Sequence, residues 1–436
     1  MDVHARLARH LLVDGYRLVL DLELSQGSWL VDARDGRRYL DFYTFFASAP
    51  LGVNPPFDPD FTRLLGQVAR NKPANPDMYT EHLADFVDTF TRVLGDPELP
   101  HLFFVEGGAL AVENALKAAF DYKSRRNEAA GRSPALGARV LHLTKAFHGR
   151  SGYTLSLTNT DPVKTERFPV FDWPRVDVPA IHFGDVEAAE ERALAQARAA
   201  FERHPHDIAC FIAEPIQGEG GDNHMRAEFL QAMQRLCHEH DALFILDEVQ
   251  TGGGTTGTPW AYQQLGLEPD IVAFAKKVQV GGIMAGRRVN EVDGNVFRRS
   301  GRINSTWGGG LVDMVRSRGL LEIIERDGLI PRAATLGSLI LERLTKLEAE
   351  HPETVANVRG RGLMAAFDLP GAAARDAMVT ALREDAGVLV LPCGTRSVRL
   401  RPALNISEQD LEHGLGALAT TLERSVTHAT ATGRSR

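Results

Sequence analysis

Apolar positions along this chain alternate between two rhythms. Short continuous runs at His101–Val105, Val140–Leu143, Ile208–Ala213, Ala242–Leu246 and Ile271–Ala275 read as strands, the last two with the signature of strands buried on both faces of a parallel sheet. Between them, Ala109–Arg125, Glu187–Arg203 and Glu228–His240 carry helical spacing. Upstream, Leu83, Phe86, Val87, Phe90, Val93 and Leu94 repeat at helical intervals until Gly95 stops them, and residues 5–13 form a short helical pattern. Ser28–Asp32 and Arg37–Phe42 flank Asp35-Gly36 as a hairpin, and PLGVNPPFDP (50–59) reads as a linker-like break. Past Trp307, helical patterns at Val312–Glu325 and Ala333–Glu350 give way to strands at Leu363–Leu369, Val388–Leu391 and Ser397–Leu400. A last helix follows the capping box Ser407-Glu408-Gln409-Asp410, and THATATGRSR reads as a frayed tail. The βαβα order predicts an α/β fold. A large domain over 60–311 holds a mostly parallel sheet covered by helices; 312–436 make a smaller α+β domain, to which 1–59 contribute.

Composition narrows the function classes without choosing one. The 436 residues carry 49 basic and 57 acidic side chains, a net charge of −8, which argues against a nucleic-acid partner. The three cysteines, Cys210, Cys237 and Cys393, have neither CxxC nor metal-ligand spacing, so no metal site is expected and a reducing cytoplasm is. No apolar run is long enough to span a membrane, and MDVHARLARHLLVDG lacks the apolar core of a signal peptide.

The chemistry gathers where strands end, which in an open α/β sheet is where ligands bind. Asp247, Val249 and Gln250 follow the first central strand, and Lys276 and Lys277 follow the second. An acid and a lysine from neighbouring strand ends fit a pyridoxal-phosphate site, which needs a carboxylate for the ring nitrogen and an amine for the cofactor's aldehyde. Gly107-Gly108-Ala109 opens a helix, where free N–H groups suit a phosphate or simply make a tight turn. Phe147 and Arg150 sit in a post-strand loop, suited to ring stacking and carboxylate binding or to plain packing. Glu214 and Glu219 leave another strand end, Asn304-Ser305-Thr306 offers hydroxyls to a phosphate or a loop, and Arg399 is a surface charge or a site guanidinium.

Together, FVEGGALAVENALKAA, FHGRSGYTLSLTNT, EPIQGEGGD, DEVQTGGGTTGT, PDIVAFAKK and NSTWGG make the chain resemble the class III, fold-type I pyridoxal-phosphate aminotransferases, nearest the L-lysine 6-aminotransferases. The resemblance implies Lys276 as the lysine that bonds pyridoxal 5′-phosphate, Asp247 at the ring nitrogen, Phe147 and Val249 on the ring faces, and Gln250 at the ring hydroxyl. Gly108 and Ala109 would hold the phosphate by their backbone, joined by Ser305 and Thr306 of a neighbouring copy, hence a homodimer. Arg150, Asn304, Glu219 and Arg399 would meet the substrates, L-lysine and 2-oxoglutarate. Glu219 would mask Arg399 for lysine and release it for the keto acid. An ornithine or 4-aminobutyrate aminotransferase, or an aminomutase, would share most of these features. Thr255 stands where the family commonly has arginine, and Gly107-Gly108-Ala109 where Ser-Gly-Thr is frequent.

Overall fold

The computed structural model describes residues 2–433. At its centre, among the described residues, lies a seven-stranded sheet in the spatial order His101–Val105, Gly281–Ala285, Ile271–Phe274, Leu243–Asp247, Ile208–Ala213, Arg139–Leu143, Arg175–Val176. All neighbours run parallel except Gly281–Ala285, which is antiparallel to both of its partners. The strand is glycine-led for a steric reason. A Cβ at Gly282 would sit 2.5 Å from the carbonyl oxygen of Phe103 and 2.7 Å from the Phe274 ring.

Side chains alternate across this sheet and build two cores. Leu243, Ile245, Ile271 and Ala273 face the helix Gly108–Ala129, whose Ala111, Ala115, Ala118 and Ala119 permit close approach. Phe244, Leu246, Val272 and Phe274 face the other way, into a cluster with Phe90, Phe229 and Trp260, where the Phe90 and Phe274 rings lie 5.0 Å apart. The helix Glu81–Leu94 is capped by the Thr80 side chain and ends at Gly95, as its sequence predicts. The break at 50–59 instead leads straight into a helix, Pro59–Val68, with Asp58 accepting the N–H of Phe61 at 2.8 Å and proline in the first turn.

The hairpin Trp29–Val31/Arg38–Asp41 forms as expected, and its second strand pairs in parallel with Val388–Leu389. A four-stranded antiparallel sheet follows the order Ala356–Arg361, Met364–Asp368, Ser397–Leu400, Leu391–Cys393. Ser407 caps the last helix by accepting the N–H of Asp410 at 3.0 Å, and that helix runs through Gly433 where a frayed tail was expected; residues 434–436 lie outside the described residues. None of the described helices is long and apolar enough to cross a membrane.

Candidate active site

Strand parity places the central acid. Asp247 continues the face of Leu243 and Ile245, so it leaves the sheet on the side of the Gly108–Ala129 helix. It pairs in register with Ala273, and Lys276 lies three residues further on, just past the end of that neighbouring strand. Lys276 opens a single 3-10 turn with a left-handed φ of 45°, a conformation that costs a non-glycine residue energy and aims its amine back into the fold. Burial, followed by the positive charges of Arg399 and Arg401, pushes the Lys276 amine down to about 8, against the opposing pull of Asp247 and Glu214. Its neighbour Lys277 turns away, with Nζ 3.4 Å from the carbonyl oxygen of Gln250.

Asp247 and Lys276 line one cavity of about 410 Å³, together with Gly108, Ala109, Phe147, Arg150, Val249 and Gln250. Every residue that the sequence assigns to the cofactor from this chain is therefore in one place. Gly108 and Ala109 begin the 22-residue helix, whose first N–H groups have no carbonyl one turn back. Gly107 reaches the turn with φ of 87°, and a Cβ at Gly108 would come within 2.9 Å of the Val249 side chain, which also lines the cavity.

Two residues unassigned in the sequence complete the site. His148 lies inside the FHGR motif, and its Nδ1 is 2.7 Å from Asp247 Oδ2, with both side chains buried. Burial pushes the His148 imidazole down in pKa, but the hydrogen bond and charge of Asp247, with Glu214 behind, prevail and raise it. The other carboxylate oxygen of Asp247 accepts the Val249 N–H at 3.0 Å, fixing the acid from both sides. Glu214 accepts the N–H groups of Phe147 and Gly218, each at 3.0 Å, and so ties two loops together. Burial pushes its carboxyl up to about 7, opposed by His148 and reinforced by Asp247. A histidine between the loop phenylalanine Phe147 and a glycine was the visible signal for the first. For Glu214, being the first residue past a fully buried strand was the only one.

Arg399 lies on a strand whose four residues are all buried, which settles its reading against a surface charge. Its Nη2 is 3.2 Å from Glu219 Oε2, while Nε and Nη1 are buried without a hydrogen-bond partner. Glu219 also accepts from Lys164 Nζ at 2.7 Å on its other oxygen. Asn304, Ser305 and Thr306 do not line this cavity; Asn304 and Thr306 are exposed, and Asn304 Oδ1 accepts the N–H of Ser305 at 2.7 Å.

The sequence pattern of the family described as Aminotransferase class-III matches residues 13–422. The chain belongs to the class-III aminotransferases. It is 60% identical to the L-lysine-epsilon aminotransferase of Mycobacterium tuberculosis, over 96% of this chain and 95% of that one. It is 58% identical to the enzyme of the same description from Amycolatopsis lactamdurans, over 97% and 95%. Among solved structures, the lysine aminotransferase of M. tuberculosis in its internal aldimine form superposes with a TM-score of 0.95 at 60% identity, covering 97% of this chain and 98% of that one.

Class-III aminotransferases act through pyridoxal 5′-phosphate, and this cavity fits that group. It has a side-chain-free cradle at Gly108 beside a helix start for the phosphate, Phe147 and Val249 for the ring faces, a buried acid, and an amine of lowered pKa.

Proposed function

We propose that this enzyme transfers the ε-amino group of L-lysine to 2-oxoglutarate, giving L-2-aminoadipate 6-semialdehyde and L-glutamate. The observation that carries the reading is the Glu219–Arg399 pair, whose guanidinium is near enough to act on the Lys276 amine by charge. The reacting end of lysine has no carboxylate next to its carbon, whereas the keto acid brings one there. A guanidinium masked by a carboxylate accepts the first; unmasked, it grips the second bidentately through donors that already lack partners.

When bound, pyridoxal phosphate supplies a sink for the electrons left as a C–H bond breaks. The remaining work falls to the chain. Lys276 Nζ, which would hold the cofactor at rest, is the base placed to move the proton of the lysine ε-carbon once substrate has displaced it. Asp247, backed by His148, would hold a proton at the ring nitrogen, Phe147 and Val249 would fix the ring plane, and Gln250 would meet the ring hydroxyl. Arg150 holds the substrate's far end, and Asn304, outside this chain's cavity like Ser305 and Thr306, would meet the substrate in the site of a second copy. Ser305 and Thr306, which lie outside this chain's own cavity, would serve the phosphate of a second copy in a cytoplasmic homodimer. The three segments 1–59, 60–311 and 312–436 are its domains, the first and last forming the small one.

Single-turnover spectroscopy tests the reading. L-lysine should bleach the visible band of the holoenzyme, and 2-oxoglutarate should restore it. A band that ornithine or 4-aminobutyrate bleaches faster than lysine would transfer the assignment to a sister activity.

A further inference from the structure

Glu219 is shared. One oxygen meets Arg399 at 3.2 Å and the other meets Lys164 Nζ at 2.7 Å. Lys164 ends a 3-10 turn, Pro162–Lys164, in the loop after the helix Gly152–Leu157. Its amine donates to Thr160 Oγ1 at 2.8 Å and stands 5.3 Å from the centre of the Phe147 ring, so it is held in place from three directions. Burial raises the Glu219 carboxyl in pKa, but Lys164 and Arg399 together lower it below the ordinary range, so it stays charged.

The backbone under Glu219 is fixed. Its carbonyl accepts the Gly394 N–H at 3.2 Å, Arg359 donates to the carbonyls of Gly221 and Asp222 at 2.6 and 2.8 Å, and Arg401 pairs with the Asp222 carboxylate. Any exchange of partners by Glu219 is therefore a rotation of its side chain within reach of Lys164.

We propose that Lys164 is a positioning residue that sets the choice between the two substrates, by holding Glu219 when it leaves Arg399. This rests on the masking role of Glu219 put forward above. With 2-oxoglutarate bound, two cations face two anions: Arg399 with the keto-acid carboxylate, and Lys164 with Glu219. Without Lys164, Glu219 would stand unpaired beside an incoming like charge, while its pairing with Arg399 in the lysine-bound state would persist. The loss falls on the keto-acid half of the cycle.

The test compares Lys164→Met, Lys164→Arg, Glu219→Gln and the Lys164→Met/Glu219→Gln double variant as holoenzymes. Each half-reaction is followed in single turnover, and glutarate, which cannot react, is titrated calorimetrically. Lys164→Met should lower the ratio of 2-oxoglutarate to lysine half-reaction efficiency about fivefold, as expected for about 1 kcal/mol from a partly buried ion pair. It should weaken glutarate by a similar factor, and Lys164→Arg should restore most of both. In the Glu219→Gln background the same change should shift neither by as much as twofold. Equal losses in both half-reactions, or none, would overturn the proposal, as would an effect that persists in the Glu219→Gln background, which would make Lys164 a direct substrate contact. If Glu219→Gln alone leaves the ratio unchanged, the masking role itself falls.

Discussion

Replacing His148 by leucine removes one partner of a fully enclosed pair and leaves Asp247 with a single backbone donor, the N–H of Val249. At 2.7 Å, opposite unit charges in an environment of effective dielectric about 20 attract by ~6 kcal/mol before desolvation is set against them. Breaking a buried pair by deleting one side costs about 3–5 kcal/mol, because the survivor stays buried and uncompensated. The expected loss for His148→Leu at pH 6 is therefore about 3–5 kcal/mol. Its pH dependence has a definite sign. The folded protein raises the pKa of His148, so it keeps its proton to higher pH than the unfolded chain does. The stabilisation tied to that proton is complete below the ordinary histidine value, about 6.5, and fades as pH climbs through the raised one. Urea unfolding of the apoprotein and its variant, at pH 6 and pH 9, measures both. A loss below about 1 kcal/mol, the scale of an exposed pair, would refute the argument. So would a gap between the two proteins that widens toward pH 9.

Lys276→Ala should abolish bleaching by L-lysine while leaving the circular dichroism of the fold in place; retained turnover would remove Lys276 from its role. Because burial and the two arginines bring its amine down to about 8, cofactor attachment to the apoprotein should accelerate with pH to a midpoint near that value, read by absorbance; a midpoint near 10.5 would mean a solvated lysine. Glu219→Gln should slow the lysine half-reaction more than the keto-acid half, measured by stopped flow. Gly282→Ala forces a methyl against a backbone carbonyl and the Phe274 ring, so thermal unfolding should show a destabilisation of about 1–3 kcal/mol.

The parts of the site that the sequence exposes are those fixed by local pattern. The continuous apolar runs within Leu243–Asp247 and Ile271–Phe274 already read as buried parallel strands, whose shared direction carries Asp247 and Lys276 toward the same edge. Gly281–Ala285 escapes such a reading because its glycines erase the apolar signal, and they are there because two neighbouring strands leave no room for side chains. The Pro59–Val68 helix hides behind prolines that look like a break, although Asp58-Pro59 is also a helix-start signal. Glu214 and Lys164 are harder still. Each acts through partners brought near only by tertiary folding, Phe147 for one and Glu219 for the other, and nothing periodic marks either.

The parallel pairing of Arg38–Asp41 with Val388–Leu389 couples the two ends of the polypeptide in time as well as in space. On the ribosome the hairpin emerges early, yet the strand that covers its open edge emerges only after nearly everything else has been made. Throughout synthesis that edge must wait unpaired, exposed to any other strand that can add to it. Expression at low temperature, or with a holdase chaperone that shields the nascent hairpin, should therefore raise the yield of native protein more than any change near the catalytic lysine.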